Sequence, residues 1–184
     1  MQHDGGWKRK SSRHLYESRW FSVRQDEIRL PGGSDITYTV IEHPGYAMVV
    51  PLLDDGRVVM VRVFRHALQR TLLECPSGGL DGEEPETAAR RELEEETGFR
   101  AERIAPLGVY YGSSGISNER CHLFVATGLH DLGETRHEAT EQIVVELLPL
   151  ADLRAAALRG EVQDGPSALA LLLTSERTKR RPPP

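Results

Sequence analysis

A mixed α/β fold, with a sheet packed between helices, is predicted for this 184-residue chain by three observations. Short apolar or alternating runs follow one another from about residue 36 to residue 150. A single segment with helical period, residues 85–97, interrupts them. The chain then closes with two Ala- and Leu-rich segments that favour helix. This order is typical of one domain in which helices cover a sheet.

The N-terminal half supplies the first strands. Residues 36–43, ITYTVIEH, alternate apolar side chains with threonine, which is the period of a half-buried strand. Two further runs, residues 46–53 and 57–64, flank a turn signal at Asp55-Gly56, where glycine tolerates the positive φ that tight hairpin turns require. A β-hairpin over residues 47–64 is therefore predicted.

The middle of the chain changes character. PSGGLDGEEPETAARRELEEETGF, residues 76–99, is predicted to be a glycine-rich loop that enters a helix. Pro85 suits a first helical turn and Gly98 suits the position just past the last turn. Later strands are predicted at IAPLGVYY, RCHLFVA and IVVELLPL, and helices at ADLRAAALRG and PSALALLLTSER.

Composition argues against a protein that binds nucleic acid, spans a membrane or is secreted. The formal charge is -5, from 23 basic and 28 acidic side chains, so no global field attracts nucleic acid or an anionic membrane. No apolar run reaches the roughly 18 residues of a spanning helix, and no apolar block marks a secretory signal, so a cytoplasmic location is expected. Cys75 and Cys121 lie in apolar runs and are interpreted as reduced packing residues, with a redox or metal role as the alternative.

The predicted central helix carries an unusual acidic cluster, formed by Glu92, Glu94, Glu95 and Glu96. At about 100° per residue, Glu92, Glu95 and Glu96 share one arc and Glu94 lies opposite. That arc is shared or bordered by Ala88, Ala89 and Leu93. Carboxylates beside small apolar side chains suffer desolvation and mutual repulsion, so a cation is expected among them. The alternative is a solvated acidic face, because like charges at i,i+4 cost only about 0.2–0.5 kcal/mol on an exposed helix.

The donor types indicate which cation. Carboxylate oxygens without His or Cys suit Mg²⁺, or else Mn²⁺, rather than zinc. Mg²⁺ is usually held by one or two carboxylates and completes its coordination with water and substrate phosphates. Phosphate chemistry is the first hypothesis.

This segment resembles the signature of the Nudix hydrolases, which is Gly, five residues, Glu, seven residues, then Arg-Glu-apolar-x-Glu-Glu-x-Gly-apolar. Its second half is matched by Arg91, Glu92, Leu93, Glu95, Glu96, Gly98 and Phe99. Glu83 stands eight residues before Arg91, as the signature requires. Six residues before Glu83 the chain has Ser77, followed by Gly78, so the loop is one residue short.

The likeness extends beyond the signature. VPLLDDGRVVMVRVFRHALQRTLLECPSGGL and SSGISNERCHLFVATGL are similar to segments of the ADP-ribose pyrophosphatase branch, although Ser114 stands where that branch often has proline. The resemblance implies a Nudix fold, an α/β/α sandwich with a mixed sheet plus N-terminal antiparallel strands. We expect a hydrolase domain at residues 45–176, candidate dimerisation strands at residues 16–44, solvated tails at residues 1–15 and 177–184, and a homodimer.

The resemblance also implies an activity. It is Mg²⁺-dependent hydrolysis of the pyrophosphate bond of ADP-ribose or a similar nucleoside diphosphate sugar, which yields a nucleoside monophosphate and a sugar phosphate. Glu92 and Glu96 are the expected direct metal ligands, Glu95 serves a second ion or a bound water, and the backbone carbonyl of Ser77 contributes. A non-catalytic nucleotide-sugar sensor and a nucleoside triphosphate hydrolase are the alternatives.

The branch takes its catalytic base from a loop after the signature. Glu138 and Glu141 are the candidates, and Glu141 is favoured because it lies nearer the strand that follows. Glu95 is a rival base. Arg91 is predicted to orient the carboxylates through an ion pair with Glu83.

Four further residues are candidates for substrate binding. Arg65 ends a predicted strand where similar proteins place an arginine on a phosphate, and the alternative is an exposed charge at a sheet edge. Glu74 lies among apolar residues and requires a partner, either a metal ion or a cationic side chain. Trp20 and Tyr38 are predicted to stack on the nucleobase, with packing as the alternative.

Overall fold

The structure is a computed structural model that describes residues 5–136 and 142–180. The strands of these residues are β1 (Lys8–Glu17), β2 (Ser22–Arg29), β3 (Asp35–Glu42), β4 (Tyr46–Pro51), β5 (Arg57–Arg65), β6 (Arg70–Glu74), β7 (Ser77–Gly79), β8 (Phe99–Tyr111), β9 (Arg120–Asp131) and β10 (Ile143–Pro149). The helices are α1 (Pro85–Thr97), α2 (Leu150–Leu158) and α3 (Gly165–Arg180). The chain divides into two compact units, Met1–Pro44 with Tyr111–Arg120, and Gly45–Tyr110 with Cys121–Pro184.

The first of these, the N-terminal unit, is an antiparallel sheet in the order β1-β2-β3. The segment Tyr111–Arg120 adds to its β3 edge, where the Ile41 N–H donates to the Ile116 carbonyl at 2.8 Å. Strand β1 occupies much of the stretch that the sequence assigned to a solvated tail. Every residue of β1 is exposed, so no alternation of apolar side chains marked it. Ladder bonds to β2 and polar contacts such as Lys10–Asp35 hold it instead.

The second unit contains two sheets. One is antiparallel in the order β10-β5-β6, and the other is mixed in the order β7-β4-β9-β8, with β4 and β9 parallel. Strand β4 is central, which explains its unbroken apolar run. Its alternate side chains enter two cores: Val49 packs in the cluster that contains Leu93 of α1, and Val50 packs in the cluster that contains Leu171 of α3. This unit is therefore an α/β/α sandwich, as predicted.

The predicted β-hairpin over residues 47–64 is wrong. The turn exists, with Gly56 at φ +85° and the Leu53 N–H bonded to the Arg57 carbonyl at 2.8 Å. Beyond a single bridge between Leu52 and Val58, however, β4 and β5 diverge into different sheets. Both strands are largely buried and take their ladder partners from elsewhere in the unit.

The C-terminal helix is longer than expected. Helix α3 continues through Arg180, past the predicted start of a tail at residue 177. The charged residues there keep helical spacing, as in the Lys179–Glu176 pair, and the prolines begin only at Pro182. Among the residues described, no helix combines the length and the apolar character needed to cross a lipid bilayer.

Candidate active site

Helix α1 presents two of its glutamates to the protein interior. It begins at Pro85 and ends before Gly98, whose left-handed conformation at φ +73° terminates it, as the sequence predicted. Glu92 and Glu96 are buried, at 9% and 6% exposure. The Glu95 side chain, which was expected on the same arc, is 41% exposed. The apolar face that carries the acids inward consists of Ala88, Ala89 and Leu93, all fully buried.

The two buried carboxylates meet the backbone of β7. The Ser77 N–H donates to Glu96 Oε2 at 3.0 Å. The Glu92 carboxylate lies directly over Gly78, where an added Cβ would stand 2.0 Å from Oε1. No side chain fits between this backbone and that carboxylate. Gly78 makes this close approach, whereas the glycine of the signature stands one position earlier, where this chain has Ser77.

A tight turn closes the shortened loop. The Glu83 N–H donates to the Leu80 carbonyl at 2.7 Å, and both central residues have positive φ, +48° at Asp81 and +83° at Gly82. Two successive positive φ values are the requirement of a type I′ turn, for which Asp-Gly is a favoured pair. The loop is therefore shortened at this turn, and α1 still begins at Pro85.

Arg91 is the cation of the acidic cluster. Its guanidinium donates to Glu83 Oε2 at 3.0 Å, Glu92 Oε1 at 2.6 Å and Glu95 Oε2 at 3.2 Å, and also to the Gly79 carbonyl at 2.9 Å. Burial lowers the pKa of Arg91, but the bonds to these carboxylates outweigh that effect and raise the pKa above its ordinary value. The ion pair with Glu83 that the sequence suggested is thus present, within a wider network.

Arg65 and Glu74 bind each other. The Arg65 Nε donates to Glu74 Oε1 at 2.8 Å, and a second guanidinium nitrogen donates to Oε2. These bonds, joined by the negative charges of Glu96 and Asp164, raise the pKa of Arg65. Of the two partners considered for Glu74, the structure therefore shows the cationic side chain. Binding of Arg65 to a substrate phosphate stays a prediction.

The donor set fits a hard divalent cation. Within residues 5–136 and 142–180, no group of three acidic, His or Cys side chains has the spacing of a complete metal site. Glu92 and Glu96 nevertheless offer buried carboxylate oxygens, already oriented by Arg91 and the Ser77 N–H. Oxygen donors of this kind, completed by water and phosphate, are what Mg²⁺ and Mn²⁺ require.

The predicted stacking residues both belong to the N-terminal unit. The Tyr38 hydroxyl donates to the Gly115 carbonyl, and its ring meets Trp7 edge to face with ring centres 6.0 Å apart. Trp20 is 51% exposed, with the Arg19 guanidinium 3.9 Å from its ring centre. Stacking of either ring on a nucleobase stays a prediction.

The candidate bases Glu138 and Glu141 lie outside the described residues. The last described residue before them is Arg136, whose N–H donates to the Glu95 carbonyl at 2.8 Å. The segment that precedes the candidates is therefore attached to α1 at the acidic cluster.

The chain is similar to known proteins over most of its length. Residues 42–171 match the family model of the NUDIX domain, and residues 7–41 match that of the nucleoside diphosphate sugar hydrolase N-terminal domain. An ADP-ribose pyrophosphatase of Bacillus subtilis (strain 168) is 36% identical over 160 residues, 85% of this chain and 86% of the relative. An ADP-ribose pyrophosphatase of Mycobacterium tuberculosis (strain ATCC 25618 / H37Rv) is 37% identical over 156 residues, 83% of this chain and 75% of the relative. The crystal structure of an ADP compounds hydrolase has the same fold, with a TM-score of 0.80 at 22% identity over 99% of each chain.

Proposed function

The chain belongs to the NUDIX family, and on that basis we propose that it hydrolyses the pyrophosphate bond of ADP-ribose or a similar nucleoside diphosphate sugar. The products are a nucleoside monophosphate and a sugar phosphate. The Nudix fold that the sequence predicted is confirmed by the structural likeness. The observation that carries the proposal is the seating of two buried carboxylates, Glu92 and Glu96, on the backbone at Ser77 and Gly78.

Each residue of the cluster has a proposed task. Glu92 and Glu96 hold the cation, for which Mg²⁺ is proposed and Mn²⁺ is the second choice, with Glu95 and the Ser77 carbonyl completing the protein ligands. A bound divalent cation neutralises the diphosphate and lowers the pKa of water. Arg91 orients the carboxylates through its hydrogen bonds to Glu83, Glu92 and Glu95.

The remaining tasks concern the substrate and its attacking water. Glu141, or else Glu138, accepts the proton of that water. A general base within reach of its target typically contributes about 10²–10⁴-fold to the rate. Arg65 is proposed to bind a phosphate oxygen through the N–H groups of its guanidinium that do not donate to Glu74. We further propose that the protein acts in the cytoplasm as a homodimer through residues 16–44, without nucleic acid or membrane partners. Sedimentation at the mass of two 20.6 kDa chains is the expected result.

Product analysis with matched variants tests the function. ADP-ribose is expected to yield equal amounts of AMP and ribose 5-phosphate with Mg²⁺, and none with a chelator. Glu92→Gln and Glu96→Gln are each expected to lower kcat by about 10³-fold, or about 4 kcal/mol of transition-state stabilisation, with an unchanged circular dichroism spectrum. Glu86→Gln is the control, because Glu86 lies exposed on the same helix and pairs with Arg90.

The same assay separates the alternatives. Normal turnover in both variants, or cleavage that is indifferent to the chelator, would refute the proposal. Binding of ADP-ribose without cleavage by the unaltered protein would indicate a sensor. Faster cleavage of ATP than of any nucleoside diphosphate sugar would indicate a triphosphate hydrolase.

A further inference from the structure

The chain crosses between the two sheets of the second unit immediately before the candidate metal site. Strand β6 ends at Glu74 in one sheet and β7 begins at Ser77 in the other, so Cys75 and Pro76 carry the crossover. Both crossover residues are buried. The Pro76 carbonyl accepts the Val49 N–H of β4 at 3.0 Å, which attaches one end of the crossover to the central strand.

The other end is attached to the C-terminal helix by a side chain. The Cys75 N–H belongs to neither ladder and donates to Ser167 Oγ at 2.9 Å. Ser167 is fully buried, at 0% exposure, in the first turn of α3. A buried backbone N–H requires such an acceptor, because leaving it unpaired forfeits its hydration without replacement.

The direction of the Ser167 hydroxyl is itself fixed. Its hydrogen is donated to Asp164 Oδ2 at 2.6 Å, which leaves an oxygen lone pair for Cys75. Asp164 directly precedes α3 and accepts the Ser167 N–H through Oδ2 at 2.9 Å and the Ala168 N–H through its carbonyl at 3.0 Å. The helix start, the hydroxyl and the crossover thus form one continuous chain of hydrogen bonds.

The residues that follow the crossover contact the two carboxylates of the candidate metal site. Ser77, two residues after Cys75, donates its N–H to Glu96, and Gly78 lies against the Glu92 carboxylate. Ser77 and Gly78 also pair with Met48 and Ala47 of β4, so this backbone is held at β4 on one side and, through Cys75, at Ser167 on the other. Loss of the bond at Cys75 removes one of these two attachments. The clearance at Gly78 is small, so even a modest displacement there changes where the Glu92 oxygens lie.

We propose that Ser167 is a positioning residue for the metal site: its hydroxyl fixes Cys75 and thereby the Ser77–Gly78 backbone on which Glu92 and Glu96 are set. The inference deepens the proposed function, on which it rests for the presence of a bound cation. Ser167 does not touch the reacting atoms. Removing a group that hydrogen-bonds a metal ligand directly typically weakens metal binding by about 10–100-fold. Ser167 acts one step farther away, through Cys75, so the lower end of that range is expected.

The test measures metal binding without substrate. The full chain, as wild type, Ser167→Ala and Ser175→Ala, is titrated with Mn²⁺ while free Mn²⁺ is followed by electron paramagnetic resonance. Ser175 is the matched control, because it is buried in the same helix two turns farther along. We expect the Kd of Ser167→Ala to rise by about 10-fold or more and that of Ser175→Ala to stay within about twofold of wild type. Ser167→Thr keeps the hydroxyl and is expected to restore tight binding.

Equal Kd values for folded Ser167→Ala and Ser175→Ala would overturn the positioning role while leaving the proposed function intact. Wild type without saturable Mn²⁺ binding would overturn both. If Ser167→Ala does not fold, Asp164→Asn replaces it, because asparagine caps a helix as well as aspartate but is a weaker acceptor for the Ser167 hydroxyl. Its Kd is expected to rise by about threefold, and a Kd equal to that of wild type would contradict the proposal.

Discussion

Gly78 connects the backbone of β7 to the chemistry of α1. Because its φ is not in the left-handed region, alanine is compatible with the backbone there, and the three atoms nearest to an added Cβ all belong to the Glu92 carboxylate, with Oε1 at 2.0 Å. Gly78→Ala should therefore leave the fold intact and displace that carboxylate. We expect kcat to fall by about 10²-fold or more and Mn²⁺ binding to weaken, with little change in Tm.

Gly79→Ala supplies the control for this prediction. The nearest atom to a Cβ at Gly79 is Asp81 Oδ1 at 3.5 Å, an ordinary van der Waals contact. Its activity should stay close to that of wild type. Full activity of Gly78→Ala, or equal losses in both variants, would show that the approach of Glu92 to this backbone is not required.

Variants of Glu141 and Glu138 test which of the two residues is the catalytic base. Glu141→Gln is expected to lower kcat by about 10²–10³-fold and to abolish the acidic limb of the pH–kcat profile, while the Kd for Mn²⁺ is unchanged. Glu138→Gln is expected to have a much smaller effect. A larger loss in Glu138→Gln would transfer the role to that residue. A loss confined to Glu95→Gln would transfer it to the helix.

Some residues of the candidate site could be predicted from the sequence, and others could not. Helical period alone indicated that Glu92, Glu95 and Glu96 face inward; Glu92 and Glu96 are buried, whereas the Glu95 side chain is 41% exposed. The contact at Gly78 was not predicted, because a loop one residue shorter than the signature has no pattern that fixes its path. Ser167 carried no signal, since it meets Cys75 across 92 positions of sequence through a single polar bond.

Strand β2 is stabilised by a buried carboxylate in the N-terminal unit. Asp26 is buried and accepts bonds from the Arg24 guanidinium, the shortest at 2.9 Å, and from Ser12 Oγ at 2.6 Å. Asp26→Ala leaves the Ser12 hydroxyl without this acceptor and leaves Arg24 with Glu42 as its carboxylate partner, so it should destabilise the unit by about 1–3 kcal/mol. Both tryptophans of the chain, Trp7 and Trp20, lie in this unit. The urea midpoint measured by tryptophan fluorescence should therefore fall, and an unchanged midpoint would contradict the account.

The same carboxylate predicts a pH dependence. Burial raises the pKa of Asp26, but hydrogen bonds from Arg24 and Ser12 outweigh burial and place the pKa below its ordinary value of 3.8. A lowered folded-state pKa gives stability that is complete above the unfolded value and is lost as the pH falls through the folded one. Between pH 5 and pH 2, the fluorescence midpoint of wild type should therefore decrease more steeply than that of Asp26→Asn. Parallel profiles would show that Asp26 makes no such contribution.

Elements were predictable where their side chains carry a period. Helix α1 has the bounds that its flanking Pro85 and Gly98 predicted, and β4 and β9 were evident as apolar runs. Strand β1 was missed because both of its faces are exposed and polar. The hairpin failed because a turn signal fixes only the turn, whereas ladder partners depend on which buried strands compete for the same edges.

Across the whole chain, the proposed function depends on one arrangement: an α/β/α unit that turns two carboxylates of α1 onto the backbone of β7. Composition predicted a protein without nucleic-acid or membrane partners, and the signature supplied the acids and their spacing. Neither showed that the crossover at Cys75–Pro76 is attached to both β4 and α3, because such long-range polar contacts have no local pattern. The acidic residues could therefore be predicted from the sequence, whereas the contacts that orient them could not. Variants can test each separately.

Anomalous diffraction from crystals soaked in Mn²⁺ would show whether Glu92 and Glu96 together bind a divalent cation. In wild-type crystals we expect a peak with carboxylate oxygens of both Glu92 and Glu96 within coordination distance, and in Glu92→Gln crystals no such peak. A wild-type peak elsewhere, with both carboxylates bonded only to Arg91 and Ser77, would contradict it.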